Sequence, residues 1–180
     1  MKQADCLILY ALEFAAHKHR DQRRKDPEAS PYINHPIALV NVLCNEGHVS
    51  DTATLCAAVL HDTIEDTQTT SEELLQNFGE EICQIVLDVT DDKSLPSAEQ
   101  KRLQIVNSQS ICVKAKLVKL ADKICNLRDI ASSPPVGWTL QRRQDYFDWA
   151  KAVVDQLRGV HDGLEKIFDT VFAERPEGPT

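Results

Sequence analysis

Apolar residues recur at helical spacing through most of this chain, and alternating runs bounded by turn residues, the mark of half-buried strands, are hard to find. The chain is therefore confined to an all-α fold in which each helix buries one stripe against its neighbours. A first helix is expected over about 4 to 19, with Ile8, Leu12 and Ala15 on its stripe, before a loop marked by Asp26, Pro27, Ser30 and Pro31. Asn34 is placed to cap a second helix that tolerates Pro36 in its first turn and runs to about 46, where Gly47 ends it. Ser50 or Asp51 starts a third, carrying Leu55, Ala58, Val59 and Asp62 and stopping near Ile64. Thr70 and Glu73 have capping-box spacing for a short fourth. Further helices are expected near 80–89, from Pro96 to Val106, over 112–131 as a largely buried segment closed by Pro134 and Pro135, and near 139–157 and 160–173.

A length of 180 residues with 42% hydrophobic content suffices for one substantial core, so residues 1–180 are expected to form a single domain with a polar tail, loose from about 174. No internal repeat interrupts it. No run of eighteen apolar residues occurs, and the N-terminal MKQADCLILYALEF has acidic residues on both sides of a short apolar patch and no small-residue cleavage site. A cytoplasmic protein with no membrane partner is expected. The six cysteines (Cys6, Cys44, Cys56, Cys83, Cys112, Cys125) form no CxxC pair and mostly lie in apolar helical patterns, so neither a disulfide framework nor a zinc knuckle is expected.

Net charge is −8, from 20 basic and 28 acidic residues, which argues against nucleic acid as a partner because that needs a broad cationic field. An anionic small molecule needs only a local cluster, and Lys18, Arg20, Arg23, Arg24 and Lys25 place five cations within eight residues. A solvated basic turn is the competing reading.

The segment HDTIEDT (61–67) sets a histidine and five carboxylate or hydroxyl side chains directly after the apolar run LCAAVL. Adjacent His61 and Asp62 supply one nitrogen and one oxygen ligand, a set suited to Mn²⁺, Fe²⁺ or Zn²⁺. If the helix continues, Glu65 and Asp66 lie one turn on, where a general base or water-orienting group is wanted. A polar helix terminus with Asp62 and Asp66 capping local amides is the alternative. His35 stands at a helix start in YINHP. Asp122, inside KLVKLADKICNL, lies close to a buried face and needs a partner, for which Lys119 or Lys123 is near. Asn126 follows it by four residues on the same face.

In the stretches RDQRRKDPEASPYINHP (20–36), AAVLHDTIEDT (57–67), VTDDKSLP (89–96), KLVKLADKICNLRDI (116–130) and GWTLQRRQDYFDWA (137–150) the chain resembles the HD-domain hydrolases of the RelA/SpoT type, in their small stand-alone form, the metazoan SpoT homologues. The resemblance covers nearly the whole chain. It implies a single HD-domain helical bundle that removes pyrophosphate from the 3′ position of ppGpp, the alarmone of the stringent response, leaving GDP. It also implies one divalent ion, usually Mn²⁺ with Zn²⁺ or Fe²⁺ as alternatives, held by His35, His61, Asp62 and Asp122. Glu65 and Asp66 match the catalytic acidic pair, Arg24 and Lys25 the segment that meets the nucleotide, and Asn126 and Tyr146 positions close to its sugar and phosphates.

Such a site has a coherent chemistry. A bound divalent ion acidifies water and neutralises growing charge, Glu65 or Asp66 orients or deprotonates that water, and Arg24 and Lys25 hold the pyrophosphate. Similar stand-alone proteins have also been associated with removal of the 2′-phosphate of NADPH, which the motifs do not separate from the first activity. An HD phosphohydrolase for other nucleotides and a catalytically dead nucleotide sensor are further alternatives. A combined alarmone synthetase and hydrolase is not expected, since no further domains follow residue 180.

Overall fold

The computed structural model describes residues 4–178, so Met1–Gln3 of the N-terminal reading and the last two residues of the tail lie outside the described residues. The elements are α1 (Ala4–Lys18), α2 (Asn34–Asn41) continued by a wider π-type turn (Val42–Glu46), α3 (Thr52–Leu60), α4 (Thr63–Asp66), α5 (Ser71–Phe78), α6 (Glu80–Val89), α7 (Ser97–Asn107), α8 (Val113–Ser132), α9 (Leu140–Asp155) and α10 (Asp162–Phe172). Among the described residues no strand forms, and the all-α expectation holds. A single antiparallel bridge between Arg23 and Pro31 ties the two arms of the loop after α1.

Helix α3 is apolar all round, and every residue from Ala53 to Leu60 is buried. A helix of that composition has no face for water and must be enclosed. Here α1, α2, α6 and α8 surround it. Asp51 is its cap: the carboxylate accepts from the Thr54 amide at 2.8 Å and from Lys114 Nζ at 2.9 Å. Helix α8, twenty residues long, buries Val118, Leu120, Ala121, Ile124 and Leu127 against α2, α3, α6, α9 and α10. The end of α3 carries His61 and the middle of α8 carries Asp122.

Local expectations differ from the structure in four places. Asn34 is the first residue of α2 rather than its cap; Ile33 takes the cap position and offers no side-chain bond. The third helix ends at Leu60 instead of near Ile64 and restarts at Thr63. Only half of the capping box forms: Thr70 Oγ1 accepts from the Glu73 amide at 3.2 Å, but the Glu73 carboxylate takes Lys18 Nζ at 2.7 Å. Finally, the start of the tail is tied down, since Arg175 forks onto Asp148 at 2.7 and 2.8 Å and the Pro176 carbonyl accepts from Gln144 at 2.9 Å. Of the six free cysteines, Cys56, Cys83 and Cys125 are buried and Cys6, Cys44 and Cys112 are exposed.

Gly47 follows the π-type turn where α10 passes too close for a side chain. A Cβ there would meet Leu164 Cδ2 at 2.7 Å and the Leu43 carbonyl oxygen at 3.0 Å, and Leu164 is fully buried with no room to retreat. Gly47→Ala is expected to destabilise the fold by about 1–3 kcal/mol, the usual cost of overpacking. Urea unfolding checks this, and an unchanged midpoint would show that α10 yields freely.

Candidate active site

The break between α3 and α4 is what aims the paired ligands. Asp62 has φ −99° and ψ 0°, a conformation that turns the chain out of the helix, and Thr63 Oγ1 donates to the Leu60 carbonyl at 2.7 Å to satisfy the last turn. Asp62 stands at the cap position of α4 but makes no capping bond. Its carboxylate instead accepts from the Tyr32 hydroxyl and lies 2.9 Å from His61 Nε2. The capping alternative therefore fails for Asp62.

His61 donates from Nδ1 to the Ala58 carbonyl at 2.9 Å, which leaves Nε2 as the inward-facing atom, buried and without an aligned hydrogen-bond partner. His35, buried at the start of α2, brings Nε2 to 3.1 Å from Asp122 Oδ1, and that oxygen lies 4.0 Å from His61 Nε2. Ligand atoms of His35, His61 and Asp62 all fall within 4.8 Å of one another. His35, His61 and Asp62, with Asp122 beside them, make a mixed nitrogen and oxygen set that fits a divalent ion, and a buried imidazole nitrogen with no aligned hydrogen bond is free to face one.

Electrostatics point the same way. Burial pulls His61 down, yet the Asp62 and Asp122 carboxylates outweigh it and carry the imidazolium to about 9. Burial would raise both carboxyls, but His61 holds Asp62, and Lys123 holds Asp122, well below the usual range. Both carboxylates thus stay ionised, and a cation bound between them would take the place of the His61 proton. Of the two lysines near Asp122, Lys123 is the partner, with Nζ 3.0 Å from Oδ2 and 4.4 Å from the centre of the Trp149 ring. Lys119 makes no ion pair among the described residues; burial lowers it to about 8.

Glu65 and Asp66 sit on α4 beside the cluster. Burial raises Glu65, although the Asp91 amide donates to Oε2 at 3.0 Å and Lys93 Nζ lies 3.2 Å from Oε1. Asp66 accepts from Lys93 Nζ at 2.8 Å and from Gln22 Nε2 at 3.0 Å. Lys93, in the loop after α6, so clamps both carboxylates.

These groups line a cavity of about 340 Å³, which abuts a larger one of about 600 Å³. Arg24, Lys25, Asn126 and Tyr146 line both. Arg24 packs over the Tyr32 ring at 5.7 Å and pairs with Asp129; Asn126 Nδ2 donates to Asp122 Oδ1 at 2.6 Å. Tyr146 packs on Trp149 at 5.1 Å, its phenol pushed up to about 12 by burial. The ten residues to which the resemblance gives site roles therefore line one cleft.

The basic cluster does not arrive whole. Lys18 is bound to Glu73 and Arg20 pairs with Asp21, while Arg23 lines the larger cavity with its guanidinium donating to the carbonyls of Arg20 and Gln22. Tyr32, Lys93, Gln22 and Trp138 also line the cleft and were not singled out, although all four lie within the matching stretches 20–36, 89–96 and 137–150.

Comparison with known proteins adds to this geometry. The HD-domain family profile matches residues 11–145. A Xenopus tropicalis protein named guanosine-3′,5′-bis(diphosphate) 3′-pyrophosphohydrolase MESH1 is 53% identical over 175 residues, 97% of this chain and 98% of that one. The Homo sapiens protein of the same name is 49% identical over 168 residues, 93% of this chain and 94% of that one. A solved structure of a metazoan ortholog of SpoT, described as hydrolysing ppGpp and playing a role in starvation responses, superposes with a TM-score of 0.91 at 48% identity, over 94% of this chain and 95% of that one.

Proposed function

We propose that this chain, which belongs to the HD-domain family, hydrolyses the alarmone ppGpp at its 3′ position to GDP and pyrophosphate. The carrying observation is a cleft with Arg24 and Lys25 on its wall that opens onto the cluster of His35, His61, Asp62 and Asp122. The names of its relatives supply the substrate.

A divalent ion, Mn²⁺ in this reading, would be held by those four side chains and would supply a nucleophile at neutral pH and a counter-charge to the transition state. The remaining work falls to the protein. Arg24 and Lys25 hold the 3′-diphosphate, Arg24 as a fork and Lys25 as a point charge. Asn126 and Tyr146 flank the sugar and its phosphates. Water attacks the phosphorus that carries the 3′ oxygen, its proton passing to the Glu65 carboxylate while Asp66 orients it. The bond from that phosphorus to the 3′ oxygen breaks, and the oxygen takes a proton to become the free hydroxyl of GDP.

The enzyme works as a single domain in the cytoplasm on a small nucleotide. Six unpaired cysteines suit a reducing compartment, and the net charge of −8 does not suit a polynucleotide. No helix among the described residues is long and apolar enough to cross a membrane.

The test is release of phosphate and of pyrophosphate by Mn²⁺-loaded protein given ppGpp or NADPH, with Asp62→Ala as the blank. Pyrophosphate with GDP is the expected result. Phosphate and NADH alone would move the assignment to an NADPH 2′-phosphatase, and silence on both with metal bound would leave another nucleotide or a sensor.

A further inference from the structure

His19 lies just beyond α1, its amide still bonded to the Ala15 carbonyl at 2.9 Å, and it is buried at 2% exposure without belonging to the metal cluster. Its Nδ1 is 2.6 Å from Gln22 Oε1, and Gln22 Nε2 is 3.0 Å from Asp66 Oδ2. The far end of this chain dictates the protons of the near end. An ionised carboxylate only accepts, so Gln22 must turn its NH₂ toward Asp66; its oxygen is then left for His19, which must donate from Nδ1–H. Nε2 is bare in that tautomer. It is also buried with no partner, where a proton would be stranded. Burial lowers the imidazolium's pKa and so favours the neutral ring.

The same ring lies 4.8 Å from the ring of Tyr32, whose hydroxyl donates to Asp62. With Asp66 Oδ1 taken by Lys93 and Oδ2 by Gln22, the carboxylate is held at both ends.

We propose that His19 is a positioning residue for the hydrolysis: through Gln22 it sets the orientation of Asp66, and its ring, tilted against that of Tyr32, backs Tyr32 against Asp62. It does not reach the substrate. The inference rests on the reading of Asp66 as one of the catalytic acidic pair.

His19→Phe keeps a buried ring against Tyr32 and removes the donor, while His19→Asn offers an amide N–H near the place of Nδ1–H. In Mn²⁺-loaded full-length protein, His19→Phe is expected to lower kcat for pyrophosphate release by roughly 10- to 100-fold, the range seen when outer-shell partners are lost. KM, metal content and melting temperature should stay near wild type, and His19→Asn should recover most of kcat. Imidazole ¹H–¹⁵N correlation spectra should show His19 as the neutral Nδ1–H tautomer. Full kcat in His19→Phe would overturn the proposal, as would a charged or Nε2–H ring. So would equal loss of metal and folding in both variants, which would mark mere packing. Wild-type silence on ppGpp with the Nδ1–H tautomer present would refute the substrate assignment and leave the hold on Asp66 intact.

Discussion

Asp122→Ala is expected to lose bound metal and pyrophosphate release together, with turnover down more than ~100-fold, since even outer-shell losses at metal sites cost 10- to 100-fold. The carboxylate has three partners at once: His35 and Asn126 on Oδ1 and Lys123 on Oδ2. Its removal leaves the Lys123 ammonium, with its side chain 4% exposed, without a counter-charge. Breaking a buried pair on one side costs about 3–5 kcal/mol, so a fall in melting temperature accompanies the lost metal. The double variant Asp122→Ala/Lys123→Met separates the two effects, because it should regain stability but no metal. Metal analysis, melting curves and turnover on the three proteins decide it. Retained metal in either variant would remove Asp122 from the ligand set.

Glu65→Gln should do the opposite: full metal content, with kcat down by roughly 10²- to 10⁴-fold, the span of a lost general base. The glutamine oxygen can still accept from the Asp91 amide, which now donates to Oε2, so the loop after α6 stays in place. The wild-type rate also carries a pH signature. Burial raises the Glu65 pKa, and a base works only when ionised, so activity is lost as pH falls through a value above the usual glutamate range. The Glu65→Gln variant should lack that acidic limb. Loss of metal from this variant would show that the division between ligands and base is wrong.

Most of the cleft is legible in the sequence because its residues sit where helical periodicity is broken by polar groups. Asp122 and Asn126 interrupt a greasy helix at a spacing of four, and they do share one polar face, bonded to each other at 2.6 Å. His61 and Asp62 follow an apolar run so abruptly that a site is expected there. What periodicity cannot convey is the bend. A continuous helix would have placed Asp62 and Asp66 on one stripe, whereas the turn at Asp62 lets adjacent residues face the same point. Partners from distant segments are equally hidden: Lys93 reaches Glu65 and Asp66 across 28 and 27 positions of chain, and Glu73 draws Lys18 away from the basic segment. Charge counted along the chain therefore overstates the cationic wall.

The pairing of Arg24 with Asp129 bears on selectivity. A guanidinium that already has a counter-ion gives an incoming anion only the difference between two attachments, and it keeps a weakly charged competitor from profiting at all. Inorganic phosphate or a nucleoside monophosphate would gain little by the exchange. In the proposed binding mode, a diphosphate that engages Lys25 and the metal cluster as well would compete better with the carboxylate. If Arg24 holds the substrate as proposed, Asp129 would be an internal rival to it, and discrimination among anions would be set by a contest within the free protein as well as by the shape of the cleft.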